Sequence, residues 1–102
     1  MTIDLIIQAI NKNRYRVSKH ALIEMRNDEF DLDDVLYSIE NGKIIEDYPD
    51  DKRSPSCLVF GYSYNERPIH SVWGYMDQVA ICITVYEPDP KEWINNEVRK
   101  KQ

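Results

Sequence analysis

The chain carries two histidines, His20 and His70, in segments of different character. His20 lies in "YRVSKHALIEMRND", just after a serine suited to open a helix, and His70 lies in "RPIHSVWGY", whose β-branched and aromatic content predicts a strand. Two imidazoles are a minimal acid–base set, one taking a proton from a nucleophile and the other returning one to a leaving group. With Ser18 as the N-cap, His20 is the second residue of its helix. The positive end of the helix dipole disfavours an imidazolium there and keeps the ring available as a base. Glu24, four residues on, is placed to orient that ring, whereas Arg26 points to a different side of the helix and needs a tilt to join it. Two histidines without an H-E-x-x-H pattern or paired cysteines do not make a zinc site, so no metal and no cofactor is expected.

Whether His70 is core or site depends on strand register, because alternate residues face opposite sides of a sheet. A two-residue turn at Asn65-Glu66 sets Phe60 opposite Ser71, Leu58 opposite Trp73, and Gly61 opposite His70. The aliphatic row Val79, Ile81, Ile83 and Val85 must be buried. For it to join Leu58, Phe60, Ile69 and Trp73, the next connection has to be the three residues Met76-Asp77-Gln78. His70 then faces Thr84, with Tyr86 diagonal to it. The other face collects Ser63, Gly61, His70, Thr84 and Tyr86. A mid-strand glycine marks a ligand's close approach, a bulge, or room for a bulky neighbour such as a helix.

The elements that must hold these residues follow from periodicity. "TIDLIIQAINKN" has Leu5, Ile6, Ala9 and Ile10 at helical spacing, and "YRV" suits a short strand. Ala21, Leu22 and Met25 form the apolar stripe of a second helix. Asp31 caps a third, with Leu32, Val35, Leu36 and Ile39 inward, and Gly42 stands where a left-handed stop is wanted. From "KIIEDYP" onward the pattern is that of strands. Asp89, Pro90 and Glu92 are start signals for a last helix bearing Trp93, Ile94 and Val98. The fold class expected is α+β: N-terminal helices on a small antiparallel meander, with a C-terminal helix.

At 102 residues, 42% hydrophobic and 30% charged, the chain is expected to be one globular domain over residues 1–102. It contains no membrane-length apolar run and no basic region ahead of its first helix, which leads to an expected cytoplasmic, reducing setting. Cys57 and Cys82 read as small buried hydrophobes. A net charge of -5 argues against indiscriminate nucleic-acid binding, although basic residues gather at Arg14, Arg16, Lys19 and Arg26.

Residues 15 to 93 resemble the small bacterial family called domain of unknown function 4258. The resemblance rests on S-x-H-A opening a helix, D-V-x-x-x-I-x-x-G-x-I-I-E-x-Y-P, P-S-x-L-x-x-G and P-x-H-x-V, all present here, and on I-x-T-V-Y-x-P-D-P-x-x-W, matched from Thr84 to Trp93 with Cys82 in place of the leading isoleucine. It implies kinship with the RelE and barnase–EndoU–colicin assemblage of RNA-cleaving toxins, a RelE-like fold, and a zinc-finger antitoxin as partner. The family's polar positions fall on His20, His70 and Thr84, with Tyr86 close by. Relatives commonly read A-x-x-R-M where this chain has "ALIEMR", which displaces Arg26.

The function expected is that of a metal-independent endoribonuclease toxin. His20 is the base, His70 the acid, Thr84 and Tyr86 are hydrogen-bond donors, and Arg67 or Arg26 supplies charge. Gly61, Ser63 and Tyr62 border the substrate, and Tyr62, Tyr64 or Tyr75 stack on bases. The alternative is a non-catalytic protein-binding module on the same fold, which suits the acidic balance. Small-molecule binding on the hollow sheet face has no motif behind it.

Overall fold

The computed structural model describes residues 1–101, as an α+β domain of three helices and a mixed five-stranded sheet. The elements are α1 (Ile3–Asn11), β1 (Tyr15–Val17), α2 (Lys19–Asn27), α3 (Leu32–Glu40), β2 (Lys43–Tyr48), β3 (Ser56–Tyr62), β4 (Pro68–Met76) and β5 (Val79–Tyr86), followed by the short β6 (Trp93–Ile94) and β7 (Val98–Arg99). The sheet order is β1-β5-β4-β3-β2. It is not wholly antiparallel: β1 runs parallel to β5, pairing Tyr15 with Ala80 and Val17 with Cys82. Among the described residues no helix is long and apolar enough to cross a membrane.

The helices begin where their capping residues stand. The Ser18 side chain accepts the Ala21 N–H at 3.0 Å. Asp31 and Asp34 form a reciprocal capping box at the start of α3. Ile6, Ala9, Ala21, Met25, Val35 and Ile39 are buried against the sheet, while Leu5 and Leu22 remain exposed. Gly42 is not a left-handed stop, since no glycine has positive φ. A Cβ there would lie 2.4 Å from the Ser38 carbonyl oxygen and 2.9 Å from that of Phe60. The residue is small so that α3 can lie close to β3.

The register differs from expectation at both hairpins. Between β3 and β4 the chain uses a five-residue loop, Ser63 to Arg67, so Phe60 pairs with His70 and Gly61 with Ile69. Ser63 is buried and organises this loop. Its Oγ accepts N–H bonds from Asn65 and Arg67, its own N–H donates to the Arg67 carbonyl, and Glu66 takes a left-handed φ of 61°. Between β4 and β5 the turn has two residues, Asp77 and Gln78, both left-handed as a tight hairpin turn requires. A bulge at Ile83 then shifts the pairing, so Val72 faces Thr84 and His70 faces Tyr86.

These shifts turn over β3 and the first half of β5 relative to β4. The helix-facing core takes Cys57, Val59, Ile69, Trp73, Ala80, Cys82 and Val85. Leu58 and Phe60 lie on the opposite, outer face with His70, and only Val85 of the expected aliphatic row joins the core. Val79, Ile81 and Ile83 are half-buried, and Ile83 Cδ1 approaches Gly74 on the outer face.

The C-terminal helix does not form. Asp89 does start a turn, accepting the N–H groups of Glu92 and Trp93, but Asn95 and Asn96 are both left-handed and reverse the chain into the β6–β7 hairpin. The hairpin lies on the outer face over His70, where Trp93 is buried edge-on to that ring.

Candidate functional site

A connected group of polar side chains lies on the outer face beneath the hairpin. The His70 ring is fully buried between Phe60, Tyr86 and Trp93, all in tilted or edge contact. Its Nε2 lies 2.6 Å from the Asn96 carbonyl oxygen, which can only accept, so Nε2 carries the proton. Its Nδ1 then accepts from the Tyr86 hydroxyl at 3.2 Å. Burial lowers the His70 pKa and holds the ring neutral, against the opposing pull of the Asn96 carbonyl and Glu46. Burial also pushes the Tyr86 phenol up to about 12.

Beside this pair, β2 sends Glu46 and Tyr48 onto the same face. Arg99 of β7 grips Glu46 with two bonds, Nε to Oε2 at 2.8 Å and Nη2 to Oε1 at 3.1 Å, and its guanidinium lies 4.7 Å from the Trp93 ring. Tyr48 donates its hydroxyl to Glu46 Oε1. Burial pulls the Glu46 carboxyl up, yet the bonds from Arg99 and Tyr48 outweigh it and leave the group below the usual range. A charge-assisted, bidentate pair of this kind is among the stronger side-chain contacts available to the hairpin.

His20 stands at the adjacent edge of the sheet, and its side chain is 69% exposed. Beyond Cys82, β1 no longer covers β5, and side chains of α2 take over. Ser18 Oγ donates to the Ile83 carbonyl at 3.0 Å, Glu24 Oε1 accepts the Val85 N–H at 3.0 Å, and Asp28 Oδ2 accepts the Glu87 N–H at 2.9 Å. The same Glu24 Oε1 is 3.3 Å from His20 Nε2. One carboxylate oxygen therefore bridges His20 to the backbone of Val85, the residue between Thr84 and Tyr86. The two imidazoles are not partners: His20 is tied to Glu24, and His70 is tied to Tyr86 and Asn96.

The remaining candidates divide. Thr84 is half-buried on the outer face opposite Val72, and Tyr86 directly opposes His70. Tyr62 is 43% exposed, tilted against Phe60, and held through its backbone by Asn41. Gly61 leaves no hollow, because a Cβ there would lie 1.9 Å from the Ser38 carbonyl oxygen. It is the neighbouring helix, not a ligand, that approaches. Ser63 is occupied by its own loop. Arg67 donates to the carbonyls of Asp28 and Glu29 and to Glu87, and covers the Phe30 ring at 4.0 Å, so it ties three loops together. Arg26 is exposed in the last turn of α2. Among the described residues no group of three His, Cys, Asp or Glu gathers in a metal-binding arrangement. Both cysteines are free and buried, with burial pushing the Cys57 thiol up to about 11 and that of Cys82 up to about 12.

The family model described as Domain of unknown function (DUF4258) matches residues 17–87. The chain belongs to this family. No curated protein and no solved structure matches it. The DUF4258 match runs from the end of β1 to just past β5, so it includes His20, Glu46, Tyr48, His70, Thr84 and Tyr86 and leaves the β6–β7 hairpin outside. Glu46 and Tyr48 are the residues that reasoning from histidines missed. Their signal was the E-x-Y-P segment itself, in which acid and phenol two apart on a strand must share a face. Trp93, Asn96 and Arg99 carried no such signal, because their partners are set by the hairpin.

Proposed function

We propose that this domain is a metal-independent endoribonuclease of the RelE-like toxin kind, paired in the cytoplasm with a zinc-finger antitoxin. One observation carries the reading. Thr84, Tyr86 and His70 share the outer face, and Glu24 fastens His20 at the sheet edge beside the first two. His20 takes the proton of the ribose 2′-OH, which attacks the adjacent phosphate, and the 2′-O–P bond forms as the P–O5′ bond breaks. The Thr84 hydroxyl donates to the charged phosphorane oxygens, and the Tyr86 hydroxyl does so once a protonated His70 no longer takes its hydrogen. His70 returns a proton to the departing 5′ oxygen. Burial opposes the imidazolium that this step needs, and the Asn96 carbonyl and Glu46 offset part of that cost. Exposed Tyr62 and Tyr64 offer stacking faces for unpaired bases.

Purified protein incubated with single-stranded RNA tests the proposal, with product ends read as 2′,3′-cyclic phosphate. His20→Ala should abolish cleavage and leave the thermal midpoint almost unchanged, given the exposure of the ring. Intact RNA with folded wild-type protein, at low salt and after any partner has been removed, would refute it.

A second reading has its own support. His70 is sealed with both nitrogens satisfied, and the net charge is -5. These suit a non-catalytic protein-binding module in which the imidazole holds the hairpin. Salt separates the readings, because RNA affinity falls steeply as salt rises and a protein-only module has none to lose.

A further inference from the structure

The hairpin that closes the outer face is attached by side chains, not by strand pairing. β6 and β7 pair with each other and form a sheet of their own. Four ties fasten them: Lys43 Nζ to Glu97 Oε1 at 2.6 Å, the Arg99 fork on Glu46, the Asn96 carbonyl on His70 Nε2, and the Trp93 ring with its centroid 4.4 Å from that of His70. Two of the four are ion pairs whose cations are mostly in solvent, Lys43 at 59% and Arg99 at 61% side-chain exposure. The exposed Lys43 pair contributes little, the Arg99 fork is the firmer of the two, and phosphate oxygens compete for both cations. The chain reaches the hairpin through Pro88 and Pro90, and a two-stranded hairpin of this length has little stability of its own.

We propose that the β6–β7 hairpin is a gate on His70 that a polyanion opens. A phosphodiester backbone draws Lys43 from Glu97 and Arg99 from Glu46, the hairpin swings away about the Pro88–Pro90 segment, and His70 Nε2 is released from Asn96. Lys43, freed on the floor beside Glu46, becomes a phosphate ligand. Naming RNA as the polyanion rests on the endoribonuclease reading; the mechanical claim does not.

The test uses the full chain and diethyl pyrocarbonate, with carbethoxylation of each histidine read by mass spectrometry, so that exposed His20 serves as the internal reference. In the wild type, His20 should react at least about tenfold faster than His70, because local opening limits the buried ring. Glu97→Gln and Arg99→Ala should each speed His70 several-fold and leave His20 unchanged, and polyuridylate should raise backbone hydrogen exchange across residues 92–100 of the wild type. His70 staying as slow in both variants as in the wild type, with circular dichroism unchanged, would overturn the gate. So would hairpin exchange that polyuridylate does not move. RNA left uncut by variants whose His70 reacts freely would sink the nuclease reading and leave the gate standing.

Discussion

Gly61→Ala is the sharpest probe of what the sheet's mid-strand glycine does. The added methyl would sit 1.9 Å from the Ser38 carbonyl oxygen and 2.7 Å from its carbon, and ordinary contact begins near 3.4 Å. Helix α3 must therefore retreat from β3 by about 1.5 Å, because the obstacle is helix backbone and not a side chain that can turn aside. Val35 and Ile39 retreat with it, and both are packed in the main core. A gap of even ~0.5–1 Å forfeits a quarter to a half of each dispersion contact, and overpacking a well-filled core costs ~1–3 kcal/mol. With both effects present, the expected loss is about 3 kcal/mol or more, a large share of the ~5–15 kcal/mol that holds a domain together. At ~4–8 °C per kcal/mol, the thermal midpoint should fall by roughly 12–24 °C. Equilibrium urea denaturation followed by far-ultraviolet circular dichroism measures it. A loss below ~1 kcal/mol would show that α3 does not bear on this glycine, and would restore the reading in which the position keeps space for a ligand.

Further expectations follow from the same geometry. Arg67→Ala should cost about 2 kcal/mol, since it removes charge-assisted bonds to two carbonyls and Glu87. Arg67→Lys should restore little of that loss, because an ammonium cannot fork between those acceptors; recovery by lysine would return Arg67 to the substrate-binding set. His70 has a folded pKa below the ordinary value, so protons favour the unfolded state. Its contribution to stability is complete above pH ~6.5 and is lost as pH falls from there towards the lowered folded value. Denaturant midpoints taken from pH 7.5 to 5 should decline, and His70→Gln should flatten that decline. Asp31→Ala should cost ~1 kcal/mol by removing half of the α3 capping box, with the further loss in Asp31→Ala/Asp34→Ala smaller than the sum of the separate effects.

What was legible in the sequence is what local chemistry decides. Ser18 and Asp31 cap the helices predicted from them, and "YRV" is a strand, because each depends on a few neighbouring residues. Register depends on loops, and there the reading slipped. Asn65-Glu66 resembles a two-residue turn, but the Ser63 hydroxyl satisfies two backbone donors across a longer loop, and that alone sets Phe60 and not Gly61 opposite His70. The bulge at Ile83 leaves no pattern in an aliphatic run. At the C-terminus the start signals were real, and Asp89 does open a turn. Asn95 and Asn96 tolerate left-handed backbone, and Trp93 finds a buried position against His70 that a continuing helix would not reach. The site was half visible for the same reason. Thr84, Tyr86 and His70 lie on one face, while the Glu46–Arg99 pair depends on a chain reversal that only the folded molecule reveals.

The stripe of Ser18, Glu24 and Asp28 along β5 has a consequence for how copies of this chain meet. The outermost backbone of a sheet is a template for pairing with a second molecule and, repeated, for fibre growth. Past Cys82 that template is already spent on α2. The three-residue β1 offers little more, and at the far margin the extra residue at Ile45 breaks the ladder of β2. Polymerisation through strand addition is thus obstructed on both flanks, on one of them by two carboxylates whose replacement would leave the Val85 and Glu87 amides open to a neighbouring molecule.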